Sequence, residues 1–187
     1  KFNAYASTKK QPLKIAALDS CKDLGQKIND YIVTFRKNAM EEDPETGLKG
    51  QYDRDTYLMD IACPRFGSGE AKCVINETVR GHDVYIICDM FNHGVTYKMY
   101  GVENRMSPDD HYQDLKRIIA AVGGKARRIT VIMPFLYESR QHKRTSRESL
   151  DCAIALQELI RMGVDHIITF DAHDPRVQNS VPLCGFD

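Results

Sequence analysis

A strongly basic stretch in the second half of the chain contains the residue types that bind phosphate. The sequence "SRQHKRTSRES", residues 139–149, contains four cations: Arg140, Lys143, Arg144 and Arg147. Guanidinium groups bind phosphate oxygens through charge-assisted and often bidentate hydrogen bonds. The stretch directly follows an apolar run, residues 129–135. A solvated surface loop can have the same composition, so the cations alone leave a surface loop and a phosphate site as alternatives.

A second polar stretch, "DAHD", follows the apolar run at residues 164–170 and supplies Asp171, His173 and Asp174. A carboxylate beside a cationic loop suits a magnesium-bound polyphosphate, because Mg²⁺ prefers oxygen ligands and often shares them with phosphates. Asp171 as a turn cap and His173 as a hydrogen-bonded turn histidine are the alternatives. We therefore predict a magnesium and phosphate site only if the two stretches lie together.

The elements that position these stretches alternate between strands and helices. Apolar runs predict strands, and recurring apolar residues at helical spacing predict helices between them. Ser107 and Pro108 are typical of a helix start, and Gly123 of its end. The predicted elements are strands at 13–18, 84–88, 129–133 and 164–170, and helices beginning after Ser20, at Ser107 and at about Ser146 and ending near Phe35, Gly123 and Met162.

This order predicts an α/β fold, a doubly wound and mainly parallel sheet flanked by helices. Ligands of such sheets bind outside the carboxyl ends of the strands, and right-handed crossovers place both polar stretches on that rim. The basic stretch is also expected to run into a helix N-terminus near Ser146, which stabilises anions. We therefore take Arg144, Ser146 and Arg147 as candidate anion contacts.

The rest of the chain fits a single domain, residues 1–187, with an insertion or long loop near residues 37–56. Short strands are predicted at 57–61 and 71–75. The formal net charge is zero, so no overall basic field points to nucleic acid or an anionic membrane. No apolar run approaches the about 18 residues of a membrane span. Neither the Walker phosphate loop nor the dinucleotide-binding glycine pattern is present.

Six cysteines are scattered along the chain without a C-x-x-C pair. Most of them lie in apolar segments, which favours buried free thiols over disulfides or a zinc site. Free thiols are typical of a reducing compartment, so the expected location is the cytoplasm.

Four stretches of the chain resemble the N-terminal half of the ribose-phosphate pyrophosphokinases, also called phosphoribosyl pyrophosphate synthetases. They are "LKIAALDSCKDLGQKI", "RFGSGEAKCVINETVRGHDVYII", "RITVIMPFLYESRQHKRTSRES" and "GVDHIITFDAHDPRVQ". They occur in the order of the family and leave out only two insertion-like segments, near residues 37–56 and 91–106. The resemblance implies a phosphoribosyltransferase-like N-terminal domain.

The family transfers the β,γ-diphosphoryl group of magnesium-ATP to the C1 hydroxyl of ribose 5-phosphate. The resemblance implies Mg²⁺ as cofactor, ATP and ribose 5-phosphate as ligands, and a homo-oligomer associated through these domains. It also implies which residues bind. Phe66 would stack on adenine with Ser68, Gly69 and Glu70 at its edge, Arg140 and Gln141 would contact ATP, and Asp171 and His173 would lie at the magnesium and phosphates.

The chain departs from the family pattern at several positions. Ser68 and His142 stand where the family usually has aspartate, and the basic stretch is one residue shorter. The ribose-5-phosphate loop and the catalytic Lys-Arg segment of the family's second half do not occur in this sequence. We therefore expect the ATP-side, N-terminal domain of a longer two-domain enzyme, without catalytic residues of its own and inactive alone. The alternatives are a non-catalytic, pyrophosphokinase-like regulatory or associated subunit, and an unrelated α/β module.

Overall fold

A parallel five-stranded sheet forms the centre of the molecule. The computed structural model describes residues 12–42 and 53–181, and the backbone of 185–186. In the order in which they neighbour one another, the strands are β1 (Leu13–Ala17), β4 (Asp83–Ile87), β7 (Arg128–Phe135), β8 (His166–Asp171) and β9 (Gly185–Phe186). Two antiparallel pairs lie outside this sheet: β2 (Ile61–Ala62) with β3 (Val74–Ile75), and β5 (Thr96–Met99) with β6 (Val102–Arg105).

Helices cover both faces of the sheet, because alternate residues of each buried strand face opposite sides. Helix α1 (Lys22–Glu42) packs on the face that carries Ile15 and Ile87. The other two helices are α2 (Pro108–Val122) and α3 (Asp151–Arg161), and both contribute to the core on the opposite face. The predicted α/β fold, a mainly parallel sheet flanked by helices, is confirmed.

The edge of β1 away from β4 carries a further contact. Leu58 bridges Ile15 in parallel orientation, which accounts for part of the strand predicted at 57–61. Helix α1 thus connects β1 to Leu58 on one side of β1, and the chain later returns to form β4 on the other side. Right-handed crossovers in opposite directions place their helices on opposite faces, which explains why α1 and α2 lie on different sides.

Helix α2 begins and ends where the sequence predicts. The Asp110 N–H donates to Ser107 Oγ at 3.2 Å, and the Ser107 N–H donates to the Asp110 carboxylate at 2.8 Å. Pro108 occupies the first helical position, and Gly123 ends the helix in the left-handed region at φ 59°. These local interactions satisfy backbone groups that helix ends leave free.

The helix predicted from about Ser146 is wrong at its start, because α3 begins at Asp151. The preceding polar side chains bond one another. Ser146 Oγ donates to the Glu148 carboxylate at 3.0 Å, and Ser149 Oγ donates to Asp151 at 2.6 Å. Such local bonds compete with helix formation. Ser146 therefore lies in a loop and not at a helix N-terminus.

The loop predicted for residues 37–56 is wrong over its first six residues, which continue α1 to Glu42. No glycine or proline occurs between Arg36 and Glu42, so nothing in the sequence ends the helix there. Residues 43–52 of that prediction lie outside the described residues.

Two cysteines are paired, contrary to the predicted free thiols. β2 and β3 are antiparallel, and continuing their register places Cys63 opposite Cys73, with a Cα–Cα distance of 4.2 Å and a disulfide bond. Cys21, Cys88 and Cys152 are free and buried, as predicted, while Cys184 lies outside the described residues. The pairing removes part of the support for the expected cytoplasmic location. Among the described helices, none has the length and apolar character needed to cross a membrane.

Gly25 of α1 packs directly against β1, which gives a testable expectation. A Cβ atom at this position would lie 2.4 Å from the Ala17 Cβ atom. We expect Gly25→Ala to lower the free energy of unfolding by about 1–3 kcal/mol through overpacking, although Ala is the better helix former. Urea denaturation measures this. Gly67→Ala is the control, because a Cβ there has no neighbour within 4 Å. A Gly25→Ala variant as stable as the parent would contradict the close approach.

Candidate functional site

A cavity of about 570 Å³ lies at the carboxyl ends of β7 and β8. Cavities of this size hold small ligands. Arg140 of the basic stretch lines it together with Asp171 and His173 of the second polar stretch. Three residues singled out in two separate loops thus share one cavity.

The pairing of β7 with β8 explains why these residues meet. The two strands are parallel, and Phe135 is in register with Asp171. The Leu136 N–H donates to the Asp171 carbonyl oxygen at 3.1 Å, so both chains leave the sheet at the same height. The residues that follow β7 therefore begin beside Asp171, and Arg140, five residues after Phe135, lines the same cavity.

The four cations of the basic stretch are exposed, and none forms an ion pair within the described part of the chain. Arg140 is the one that lines the cavity. Arg144 and Arg147 lie further along the loop, outside the cavity, and Ser146 lies between them. The candidate ATP contact Arg140 therefore lies at the cavity, whereas the three candidate anion contacts lie on the exposed loop outside it.

Gln141 holds the basic loop in place. Its side-chain amide donates to the Ser149 carbonyl oxygen at 2.8 Å and to the Lys143 carbonyl oxygen at 3.3 Å. Its own carbonyl oxygen accepts from the Cys152 N–H at 3.3 Å, at the start of α3. The Gln141 side chain thus closes the loop on itself, the Gln141 backbone joins the loop to α3, and Gln141 does not line the cavity.

His142 links the two polar loops. Its Nε2 lies 3.3 Å from the Asp174 carboxylate, and its ring centroid lies 5.3 Å from that of His173. Asp174 also pairs with Arg176, and hydrogen bonds from Arg176 hold the pKa of Asp174 well below its usual range. Asp174, rather than Asp171, caps the following turn, because it accepts the Arg176 N–H at 2.8 Å. Asp171 remains exposed at the cavity.

The cavity also has an acidic and an aromatic lining residue, Glu138 and Tyr137, which the sequence did not reveal. Glu138 has a φ of 55°, in the left-handed region, and burial raises its pKa, with further contributions from Asp151 and Asp109. The Tyr137 hydroxyl donates to Asp109 at 2.6 Å, and its ring stacks on Tyr112 with centroids 4.4 Å apart. The cavity is therefore lined by acidic and aromatic groups as well as by the Arg140 guanidinium.

The donors at the cavity fit a magnesium ion that takes one or two ligands from the protein and the others from water and phosphate oxygens. Asp171 and His173 supply one carboxylate and one imidazole. Within the described ranges, no third histidine, cysteine or carboxylate lies with both of them within 4.8 Å, and the one group of three that meets this distance, Cys63, Cys73 and Asp114, contains the disulfide and therefore offers no thiolate. Mg²⁺ commonly binds through one or two carboxylates and completes its shell with water and phosphate oxygens. The arrangement fits that mode and not an all-protein cage.

The turn that carries Phe66 lies outside the cavity. The Phe66 N–H donates to the Glu70 carbonyl oxygen at 2.7 Å, and Ser68 Oγ donates to the Glu70 carboxylate at 2.8 Å. Gly69 has a φ of 90°, which a residue with a side chain rarely adopts. Phe66 is 52% exposed. None of these four residues lines the cavity with Arg140.

The β5–β6 hairpin, which lies within the insertion-like segment 91–106, supports this turn. The Tyr100 N–H donates to the Gly67 carbonyl oxygen at 2.8 Å, and Met99 packs against Gly69. Arg65 lies over the Tyr97 ring, 4.8 Å from its centroid. The same segment begins at Phe91, which lines the cavity. One segment therefore contacts both groups of predicted site residues.

Comparisons with known proteins agree with this architecture. Residues 13–163 match the model of a family described as the N-terminal domain of ribose phosphate pyrophosphokinase. A ribose-phosphate pyrophosphokinase 1 of Schizosaccharomyces pombe is 34% identical over 121 residues, 64% of this chain and 26% of the relative. One from Vibrio parahaemolyticus is 30% identical over 125 residues, 65% of this chain and 35% of the relative. The chain thus spans about a quarter to a third of such relatives.

A solved structure shares the fold. The phosphoribosylpyrophosphate synthetase from Mycobacterium smegmatis matches with a TM-score of 0.65 and 19% identity, over 95% of this chain and 48% of that one. At this identity the likeness shows the fold alone.

Proposed function

Since the chain belongs to the family of N-terminal domains of ribose phosphate pyrophosphokinases, we propose that it binds magnesium-ATP for diphosphoryl transfer to ribose 5-phosphate. The observation that carries this proposal is the meeting of Arg140, Asp171 and His173 in one cavity at the carboxyl ends of β7 and β8. Ligands of open α/β sheets bind at this edge. A guanidinium group beside a carboxylate and an imidazole suits a polyphosphate with its metal ion.

The residues of this chain hold the nucleotide and take no part in bond making. Arg140 would donate hydrogen bonds to phosphate oxygens, and Asp171 and His173 would hold the magnesium ion. Magnesium, when bound, neutralises charge on the transferred group. Diphosphoryl transfer depends mainly on positioning and charge neutralisation, so the acceptor must be held in line with the β-phosphorus. We assign that task to the remainder of a longer protein and expect no turnover from this domain alone.

The position of the Phe66 turn favours a homo-oligomer. The resemblance implies that Phe66, Ser68, Gly69 and Glu70 bind the adenine, yet in one chain they lie outside the cavity that contains Arg140. A second subunit that presents its turn to the cavity of the first reconciles the two placements. Association through these domains is therefore part of the proposal.

The proposal is tested by removing the guanidinium group from the cavity. We expect Arg140→Ala to weaken magnesium-ATP binding by about 1.5–3 kcal/mol, the cost of a hydrogen bond to a charged group. His173→Ala should weaken binding more with magnesium than without it. Isothermal titration calorimetry measures both.

Lys143→Ala is the matched control, because it removes one cation from the same loop but not from the cavity. Equal losses of magnesium-ATP affinity in Arg140→Ala and Lys143→Ala would indicate a general electrostatic attraction by the loop and no specific phosphate site. Unchanged binding in Arg140→Ala would refute the proposed site. Binding through Arg140 in a full-length protein that forms no phosphoribosyl pyrophosphate would identify the non-catalytic subunit instead.

A further inference from the structure

His142 connects the loop after β7, which carries Arg140, with the loop after β8, which carries His173. Its Nε2 atom lies 3.3 Å from the carboxylate of Asp174, the residue that follows His173. His142 does not line the cavity itself. We propose that His142 is a positioning residue, which sets the spacing between the guanidinium group for the phosphates and the side chains for the magnesium ion. This inference rests on the proposed function of the cavity.

Polar contacts tie the two loops together at two levels in the part of the chain that the structure describes. The first is the bond from the Leu136 N–H to the Asp171 carbonyl oxygen, where both strands end. The second is the contact of His142 with Asp174, six and three residues further along the two loops. The cationic and the imidazole site residue, one on each loop, lie between these two contacts in sequence. The second contact therefore limits how far the two site residues can move apart.

The contact between His142 and Asp174 is shielded from solvent. The two side chains are 11% and 13% exposed, respectively. Water and salt screen such a contact less than they screen a pair at the surface. Asp174 is also held by Arg176, whose backbone N–H donates to the Asp174 carboxylate at 2.8 Å and whose Nε donates at 2.9 Å. His142 therefore contacts an acceptor whose position is already fixed.

The two nitrogen atoms of the His142 ring have different partners. Nδ1 lies 3.2 Å from the Ser139 carbonyl oxygen, within the same loop. Nε2 makes the polar contact with the other loop. The family usually has aspartate at this position, and an ionised carboxylate cannot donate a hydrogen bond to Asp174. The contact between the loops is therefore a feature of this chain that the family pattern does not supply.

The test compares ATP with and without magnesium by calorimetric titration, because only the magnesium complex uses both loops at once. We expect His142→Ala to raise the Kd for magnesium-ATP about 5- to 50-fold, as for groups that act together. The Kd for ATP in excess EDTA should stay within about twofold, since Arg140 acts there without the other loop. His82→Ala is the matched control. Nδ1 of His82 also contacts a carbonyl oxygen of its own turn, at 2.9 Å, but His82 precedes β4 at the opposite edge of the sheet.

Amide side chains at position 142 separate the two contacts of the ring. The Gln amide reaches about as far as Nε2, and the Asn amide reaches about as far as Nδ1. His142→Gln should therefore restore magnesium-ATP binding, whereas His142→Asn should not. Asp174→Asn should cause no further loss in the His142→Ala variant, because the partner is already gone. This substitution keeps an acceptor for the Arg176 N–H, so the turn stays capped.

The outcomes separate this inference from the proposed function. If Arg140→Ala weakens magnesium-ATP binding while His142→Ala does not, the positioning role is wrong and the phosphate site stands. If His142→Ala weakens binding equally with and without magnesium, the ring only maintains the shape of its own loop and the inference is overturned. Equal rescue by His142→Asn and His142→Gln leads to the same conclusion. If neither Arg140→Ala nor His142→Ala changes the binding of magnesium-ATP, the proposed function itself fails.

Discussion

Replacing Asp114 with Ala is expected to lower the free energy of unfolding by about 3–5 kcal/mol. The Asp114 carboxylate is buried in α2, and both of its oxygens are used: Oδ2 lies 2.7 Å from Arg65 and Oδ1 lies 2.6 Å from Arg117. The side chains of the two arginines are only 10% and 22% exposed. Without the carboxylate, two partly buried guanidinium groups would repel each other without a counter-charge. Arg65 also precedes Phe66, so the loss should loosen the turn.

Burial raises the pKa of Asp114, and the bonds from Arg117 and Arg65 oppose that shift. The ion pairs therefore offset only part of the cost of burying the carboxylate, and breaking them is more costly than their presence is favourable. Urea denaturation measures the effect, and Asp114→Asn should lie between the parent and Asp114→Ala. Asp55→Ala is the control: its pair with Lys37, at 3.0 Å, is exposed to solvent, so its loss should change the free energy of unfolding far less. A comparable loss in both alanine variants would contradict the argument.

Reducing the Cys63–Cys73 disulfide is expected to cost about 2–3 kcal/mol of folding free energy. The bond closes a loop with a sequence separation of 10, and opening it returns chain entropy to the unfolded state. The loop contains the Phe66 turn, so its local order should fall as well. The measurement is the urea midpoint with and without a dithiol reductant.

A Cys63→Ser/Cys73→Ser variant is the control, because its stability should not respond to the reductant. Alkylation of the unfolded, unreduced protein provides a second readout, in which Cys63 and Cys73 should be protected. Modification of all six cysteines without reduction would show that the bond does not form in the protein as isolated.

The sequence predicts those features of the fold that depend on neighbouring residues. Ser107 and Gly123 bound α2 because a cap and a left-handed glycine act within one turn of the helix. The start of α3 is predicted too early because a helical backbone and local side-chain bonds compete at residues 146–150. The bond from Ser146 to Glu148 belongs to the second alternative, which the structure adopts. Side-chain bonds of this kind have no periodicity that a sequence pattern reveals.

The site divides in the same way. The sequence alone predicts that Arg140 and Asp171 lie close together, because parallel strands end at one rim of the sheet and each residue follows the end of its strand. The sequence does not predict that Phe91 and Glu138 line the same cavity. Phe91 reaches the cavity through bonds to Asn92 that connect distant elements, and Glu138 depends on a backbone conformation. The Cys63–Cys73 bond likewise requires the register of two-residue strands, which are too short to predict.

The stacked pair of Tyr137 and Tyr112 has an optical consequence. The chain has nine tyrosines and no tryptophan, so tryptophan fluorescence does not mask the fluorescence of the tyrosines. Tyr137 lines the cavity with its hydroxyl bonded to the Asp109 carboxylate, an arrangement that quenches phenol fluorescence. A ligand that displaces this bond would raise the emission of one tyrosine against a constant background from the other residues. Occupancy of the cavity can then be followed by ultraviolet fluorescence on the unlabelled protein.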